Sequence, residues 1–208
     1  MNGAQALIRT LVQAGVDVCF MNPGTSEMHF VAALDDVPEM RGVLALFEGV
    51  ATGAADGYAR IADKPASVLL HLGPGLGNGL ANLHNARKGH TPVVNIVGDH
   101  ATYHKQYDAP LQSDIESIAR PMSGWVHASV VPADVAGDAA RAVVEARRPP
   151  GQVSTLVLPA DVSWLERDGP APALPVPGRE PVPGDRVDDV AAVPRGGAPG
   201  APPGGGAA

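Results

Sequence analysis

One acidic residue, Glu48, directly follows the apolar run from Val43 to Phe47. A carboxylate among apolar side chains is costly unless it is hydrogen-bonded or used in chemistry. We therefore expect a carboxyl group that is desolvated by Phe47, Val50 and the apolar strand and that can share a proton with a bound ligand. The structural alternative is an acid at the start of a helix, where the helix dipole favours negative charge.

A glycine-rich segment, G-P-G-L-G-N-G at residues 73–79, follows the apolar strand pattern Ala66 to Leu70. Glycines allow the backbone to approach a ligand closely and to adopt left-handed conformations. The spacing is not G-x-G-x-x-G and no G-K-[ST] follows, so neither a dinucleotide fingerprint nor a P-loop is indicated. A tight turn between a strand and a helix is the structural alternative. Together with Glu48, the segment predicts a small-molecule site at the edge of a parallel sheet.

Two further side chains have both a chemical and a structural interpretation. His71 could exchange a proton near neutral pH, or it could be a packed histidine at the end of a strand. Thr25 could contact a ligand or cap a helix. Four other histidines lack the regular spacing of a metal site, so no metal-binding residue is predicted: His84, His90, His100 and His104.

The elements that must position these residues alternate between apolar runs and helical periodicity, which predicts an α/β fold. The sheet is expected to be mainly parallel, with about six strands flanked by helices. The predicted strands are residues 16–21, 41–47, 66–70, 93–98, 126–131 and 153–158. The first predicted helix follows Asn2 and ends at Gly15. The other predicted helices are residues 27–34, 49–61, 77–88, 114–119 and 134–147. The helix at 49–61 is rich in Ala and Gly, which indicates close packing against a neighbouring helix or a cofactor.

Composition limits the function classes. The chain has 208 residues, is 45% hydrophobic and carries a net charge of -7, which disfavours nucleic-acid binding. Its one cysteine, Cys19, cannot form an internal disulfide. We find neither a secretory leader pattern at the N-terminus nor an apolar run that could span a membrane, and we expect a cytoplasmic protein.

The composition changes after Trp164, because Pro, Gly and Ala dominate the rest of the chain. Such a segment cannot bury enough apolar surface to offset the entropy of ordering. We therefore predict one domain at residues 1–165 and a disordered linker or tail at residues 166–208.

Four motifs together resemble a known family. E-G-V-A-T-G-A-A-D-G-Y-A-R at residues 48–60, followed by G-P-G-L-G-N at 73–78, resembles the N-terminal, pyrimidine-binding domain of thiamine-diphosphate enzymes such as acetolactate synthase and benzoylformate decarboxylase. N-P-G-T-S-E at 22–27 and T-P-V-V-N-I-V-G-D at 91–99 fit the same family. The resemblance covers roughly Met1 to Trp164 and implies the thiamine-diphosphate-binding fold.

The resemblance implies that thiamine diphosphate is the cofactor and that Glu48 is catalytic. Its carboxylate would hydrogen-bond the N1′ atom of the aminopyrimidine, which promotes removal of the C2 proton of the thiazolium. The segment containing Gly73, Pro74, Gly75 and Asn78 would line the pyrimidine side of the cofactor.

The resemblance also implies substrate contacts. His71 matches a histidine that faces the substrate in benzoylformate decarboxylases, where it would act as a catalytic proton donor or acceptor. Thr25 matches a serine that contacts the substrate carboxylate in the same enzymes. Gln112 matches a glutamine of an F-Q-E segment in acetolactate synthases, but Leu111 replaces the phenylalanine, which disfavours acetolactate-type recognition.

The implied function is the pyrimidine-binding half of an enzyme that acts on 2-oxo acids, either a carboligase or a decarboxylase. The diphosphate-binding domain of such enzymes has no counterpart among the motifs, so we expect Mg²⁺ to be held through a missing domain. The expected partner is a second copy of the chain or a separate diphosphate-binding subunit. We expect the chain to bind neither nucleic acid nor a membrane. The alternative is a non-catalytic or truncated module that acts by dimerisation or regulation.

Overall fold

The computed structural model describes residues 1–195 and contains a six-stranded, fully parallel sheet. The strand order is β2-β1-β3-β4-β6-β5. The strands are β1 (Val18–Asn22), β2 (Arg41–Leu44), β3 (Ala66–Leu70), β4 (Val93–Asp99), β5 (Trp125–Ala128) and β6 (Val153–Pro159). The predicted α/β fold with a parallel sheet of six strands is confirmed.

Seven helices accompany the sheet, and an eighth follows it in the chain. They are α1 (Gly3–Gln13), α2 (Met28–Asp35), α3 (Glu48–Ala62), α4 (Leu72–Lys88), α5 (Ile115–Ala119), α6 (Val135–Arg147), α7 (Ala160–Trp164) and α8 (Gly184–Arg195). Helices α1, α2, α6 and α7 contribute to the apolar core on one face of the sheet. Helices α3, α4 and α5 contribute to the core on the other face.

The central strands are buried on both faces, as expected for a parallel sheet between two helix layers. Successive side chains of a strand point to opposite faces. Leu69 and Ile96 accordingly belong to the α1 side of the sheet, whereas Leu70 and Val97 belong to the α3 side. Alternate residues of β3 and β4 therefore pack in the two cores on opposite faces of the sheet.

The glycine-rich segment is helical, so the predicted turn at residues 73–79 is wrong. Helix α4 begins at Leu72, where the sequence had predicted a start at Gly77. The change of direction occurs at Leu72, which has a left-handed φ of 51° and is fully buried. A left-handed residue with a side chain costs roughly 1–2 kcal/mol, and the packing of the leucine side chain holds it there. Pro74 is tolerated because it lies in the first helical turn.

Helix α3 uses its small residues against α4. A Cβ atom on Gly53 would lie 2.8 Å from Nδ2 of Asn82, and one on Gly79 would lie 2.9 Å from Cγ2 of Thr52. The hydroxyl of Thr52 also donates to the carbonyl of Gly79 at 3.1 Å. The close packing predicted from the Ala and Gly content of this helix is therefore found within the chain, between α3 and α4.

The segment after α7 returns along α1. Arg167 donates its N–H to the carbonyl of Met1 at 2.9 Å, and the N–H of Ala171 donates to the hydroxyl of Thr10 at 3.0 Å. Residues 172–183 form neither helix nor strand, and the sequence analysis did not predict α7 or α8. The division at residue 165 and the disorder of the tail stay predictions, and residues 196–208 lie outside the described residues.

Within residues 1–195, none of the helices is both long and apolar enough to cross a membrane.

Candidate active site

The predicted site residues lie around the carboxyl ends of neighbouring strands. Strand β1 ends at Asn22 and leads into a short 3₁₀ turn, Thr25–Glu27. Strand β3 ends at Leu70 and is followed by His71. Because β1 and β3 are adjacent in the sheet, the residues after both strands meet at one edge.

Glu27 and His71 form the most buried polar contact at this edge. Oε2 of Glu27 lies 2.7 Å from Nδ1 of His71, and it also accepts the N–H of Gly24 at 2.7 Å. The Glu27 side chain is 0% exposed, whereas the His71 side chain is 23% exposed. An ionised carboxylate can only accept, so Nδ1 of His71 donates and Nε2 is left as the ring nitrogen that a ligand can reach.

Two glycines make room for this pair. A Cβ atom on Gly24 would collide with the imidazole of His71, and one on Gly98 would collide with the carboxyl of Glu27. Oε1 of Glu27 is buried and has no hydrogen-bond partner among the described residues. Burial raises the pKa of Glu27, although hydrogen bonds from Gly24 and His71 offset part of this effect.

Glu27 is not among the site residues predicted from the sequence. It was noted only as part of N-P-G-T-S-E and as the start of a predicted helix. The available signal was an acid three residues after a Pro-Gly turn that follows a buried strand. Nothing in the local sequence indicated that the side chain would point back toward the end of β3.

Glu48, the first residue of α3, contacts the start of α4. Its Oε2 accepts from Nδ2 of Asn78 at 3.0 Å. Both Oε1 of Glu48 and Cβ of His71 lie against Gly75, at 3.4 and 3.5 Å from the position of a Cβ atom on that glycine. The structure thus brings Glu48, His71, Gly75 and Asn78 together at one edge of the sheet.

The expected desolvation of Glu48 by its neighbours is wrong for the chain by itself, since Glu48 is only half-buried. The adjoining apolar side chains point outward because β2 is an edge strand that ends at Leu44. Leu46 is 94% exposed. We call these exposed residues the Glu48 apolar surface: Leu44, Leu46, Phe47 and Val50. An exposed apolar group of this kind typically marks an interaction site.

Gln112 occupies a neighbouring position. It lines a cavity of about 380 Å³ with Asp99 and Lys105, and its Oε1 is buried without a hydrogen-bond partner among the described residues. The next residue, Ser113, packs directly on Gly73, where a Cβ atom would clash with the serine hydroxyl. The described contacts do not join Gln112 to Glu48 or His71, so it lies beside these residues and outside their contact network.

Thr25 is exposed at the first position of the 3₁₀ turn. The hydroxyl of Thr25 makes no capping hydrogen bond to this turn or to α2. The helix-capping alternative for Thr25 therefore finds no support in residues 1–195, and its proposed contact with a substrate remains a prediction. Pro74 is exposed on the first turn of α4, near the same edge.

In residues 1–195, no group of three or more His, Cys, Asp or Glu side chains is arranged to hold a metal ion.

Comparison with known proteins identifies relatives. The family described as "Thiamine pyrophosphate enzyme, N-terminal TPP binding domain" matches residues 1–119. The chain is 65% identical over 199 residues to a Mycobacterium tuberculosis protein named "Putative acetolactate synthase large subunit IlvX", a match that covers 96% of this chain and 38% of the relative. It is 35% identical over 161 residues to the benzoylformate decarboxylase of Pseudomonas aeruginosa, covering 76% of this chain and 29% of that enzyme.

A solved structure shares the fold. The thiamine diphosphate-dependent 4-hydroxybenzoylformate decarboxylase of Rhodococcus jostii RHA1 superposes with a TM-score of 0.82 at 24% sequence identity. That match covers 93% of this chain and 37% of the decarboxylase chain. This chain thus spans well under half the length of the relatives that it matches.

Proposed function

Because the chain belongs to the family of N-terminal thiamine pyrophosphate binding domains, we propose that it is the pyrimidine-binding half of an enzyme that acts on 2-oxo acids. The observation that carries the proposal is the convergence of Glu48, Asn78 and His71 around Gly75 at the carboxyl edge of the sheet. The names of the two relatives include an acetolactate synthase and a benzoylformate decarboxylase.

The residues at this edge fit the pyrimidine half of the cofactor. Glu48 offers a carboxylate whose orientation Asn78 supports through a hydrogen bond of 3.0 Å. Gly75 leaves space beside it, and Phe47 and Val50 offer apolar surface to a ring. When bound, thiamine diphosphate supplies a nucleophilic ring carbon and an electron sink for the cleavage of 2-oxo acids. The role of Glu48 is to hold a proton at the ring nitrogen that it faces.

We assign His71 to proton transfer at the substrate. Its Nε2 is left for the ligand because Nδ1 is bound to Glu27, which fixes the orientation of the ring. A buried carboxylate also stabilises the charged form of the imidazole after it takes up a proton. Glu27 thereby acts as a positioning residue, and Thr25 and Gln112 are candidates for contact with the substrate.

We further propose that the site is completed by a partner. The Glu48 apolar surface is exposed in the chain, and a carboxyl that shares a proton with a ring works best where water is excluded. The groups that would hold Mg²⁺ and the diphosphate would come from a diphosphate-binding domain, in the same assembly or on another subunit. We expect such a partner to cover the Glu48 apolar surface.

The test is a chimera in which this chain replaces the matched segment of the mycobacterial relative. The readout is the exchange rate of the C2 proton of thiamine diphosphate, measured by NMR after acid quench. Glu48→Gln should slow this exchange by about 10²–10⁴-fold, since the amide cannot shuttle a proton. The matched control, Glu39→Gln, alters an exposed acid and should leave the rate unchanged.

Exchange at the unaltered rate in Glu48→Gln would reduce Glu48 to an acid at a helix start. The proposal would then give way to the alternative, a non-catalytic module that acts by dimerisation or regulation.

A further inference from the structure

A cavity lined by cationic side chains lies at the amino ends of the strands, opposite the site around Glu48. Its volume is about 460 Å³. Ligand sites in proteins commonly measure about 300–1,000 Å³. Strand β4 has seven residues, so about 20 Å separates the two ends of the sheet. The cavity is therefore separate from the proposed cofactor site.

The lining carries more positive than negative charge. Four cationic side chains and one acid, Asp63, line it. The net charge of the whole chain is -7, so the charge of this lining is opposite in sign to that of the chain. The two arginines Arg147 and Arg179 form no ion pair within residues 1–195. Both are exposed, and both are available to a ligand.

The other two cations are already paired. Arg60 bonds Asp56 at 2.9 Å, and Lys64 bonds Asp17 at 2.6 Å. They contribute to the positive potential, but their partners offset most of it. The recognition of a ligand would therefore depend mainly on the two unpaired arginines.

Thr91 provides an independent indication of a ligand. It lines the cavity, is only 2% exposed, and its hydroxyl has no hydrogen-bond partner among the described residues. A buried hydroxyl without a partner is unfavourable, so polar side chains in this state usually bond a water molecule or a ligand. An oxygen atom of a bound anion would satisfy it once a change of the Thr91 rotamer turns the hydroxyl toward the cavity.

The backbone below the cavity is tightly held. His90 has a left-handed φ of 52°, and Gly151 has a φ of 115° and packs against the His90 carbonyl so closely that a Cβ atom would clash. Thr91 follows directly on His90. The backbone that carries Thr91 is therefore fixed before any ligand arrives, which reduces the entropy lost on binding.

A purely structural explanation accounts for only part of the cluster. Arg60 and Arg147 lie in the last turns of α3 and α6, where cations stabilise the helix dipole. Arg179 belongs to no helix and reaches the cavity from the segment that follows the domain. Neither its position nor the buried hydroxyl of Thr91 is explained by helix dipoles.

We propose that this cavity binds the diphosphate group of a small molecule. Arg147 and Arg179 would contact the phosphate oxygens, and the hydroxyl of Thr91 would donate to one of them. Guanidinium groups suit this role because their planar donors match phosphate oxygens in pairs. Two unpaired arginines match the two phosphate groups.

The test is calorimetric titration of the full chain with inorganic pyrophosphate and, separately, with ADP. We expect the double variant R147Q/R179Q to raise the Kd for pyrophosphate about tenfold or more, because charge-assisted hydrogen bonds are lost. Thr91→Val keeps the size of the side chain and should also weaken binding. The control, Arg9→Gln, removes one positive charge from α1, half the change in the double variant, and should leave the Kd unchanged.

The two probes distinguish an organic from an inorganic source of the diphosphate. ADP that binds at least as tightly as pyrophosphate identifies an organic diphosphate as the ligand, and binding of pyrophosphate alone identifies a free inorganic anion. The proposal is overturned if neither probe binds below about 10 mM, a limit beyond which the association is too weak to matter. It is also overturned if R147Q/R179Q binds like the unaltered chain, or if Arg9→Gln weakens binding equally.

Discussion

Oε2 of Glu27 lies 2.7 Å from Nδ1 of His71, although the two residues are 44 positions apart in the chain. The carboxyl is fully buried, whereas the imidazole reaches the surface. The pair therefore links an interior charge to a ring nitrogen that a ligand can contact. Its existence depends on the adjacency of β1 and β3.

Glu27→Gln should change how stability depends on pH. Burial raises the pKa of Glu27 above its ordinary value, so the folded state favours the protonated carboxyl more than the unfolded chain does. The stability that protonated Glu27 gives the folded state is complete below the pKa of this carboxyl in the unfolded chain, which is about 4.3. It is lost as the pH rises through the pKa of Glu27 in the folded chain. Relative to Glu27→Gln, the unaltered chain should therefore lose free energy of unfolding on going from acid to neutral pH. Urea denaturation at a series of pH values measures this difference.

The control for that experiment is Glu39→Gln, since Glu39 is exposed. If the stability difference between Glu27→Gln and the unaltered chain is the same at every pH, the carboxyl of Glu27 is not perturbed by burial.

Glu27 and His71 should also be coupled in catalysis. In the chimera with the mycobacterial relative, His71→Gln should lower the rate of 2-oxo acid cleavage by about 10²–10⁴-fold. Exchange of the C2 proton should change little, because Glu48 and not His71 faces the ring nitrogen in our proposal. Glu27→Gln should add little to His71→Gln in the double variant, since the carboxyl acts through the imidazole.

Steady-state kinetics of the two single variants and the double variant measure this coupling. Strictly additive effects would show that Glu27 has only a structural role. His84→Gln, which alters an exposed histidine of α4, serves as the control.

The Glu48 apolar surface should mediate self-association of the chain. Leu46 is 94% exposed, and it lies beside Phe47 and Val50, so where no diphosphate-binding partner covers this surface, burying it against a second copy would be favourable. Leu46→Lys should shift the equilibrium toward the monomer, as measured by sedimentation velocity at high micromolar concentration. Val131→Lys changes an exposed valine after β5 and should have no effect. A strict monomer in the unaltered chain would contradict this prediction.

Limited proteolysis should locate the boundary of the domain. Trypsin should cut first after Arg179 and Arg186, which are exposed outside the sheet and its flanking helices. Cleavage after Arg167 should be slower, because its N–H donates to the carbonyl of Met1 and pairs the segment with the N-terminus. Mass spectrometry of the early products identifies the sites. Early cleavage after Arg60, within α3, would contradict a compact domain at residues 1–165.

The sequence by itself determined the fold class and much of the site. Strands covered on both faces show no alternation of apolar and polar residues, but a predominantly apolar run such as Ala66–Leu70 identified β3 with its observed bounds. Glu48 and the segment at residues 73–79 could be singled out because a carboxylate after an apolar run and clustered glycines are unusual in any structure. The resemblance to the family depends on the same local motifs.

Only the tertiary structure decided which of the two site acids, Glu27 or Glu48, is buried. Burial is set by neighbours distant in the chain, and the apolar residues before Glu48 lie at an edge strand, where they point to solvent. Glu27 lies beneath His71 because two strand ends are adjacent, a relationship that no local pattern records. The glycines of α3 likewise acquired a role only when α4 packed on them. Local sequence fixes the backbone preference of each segment, whereas charge burial and ligand geometry arise from the pairing of segments.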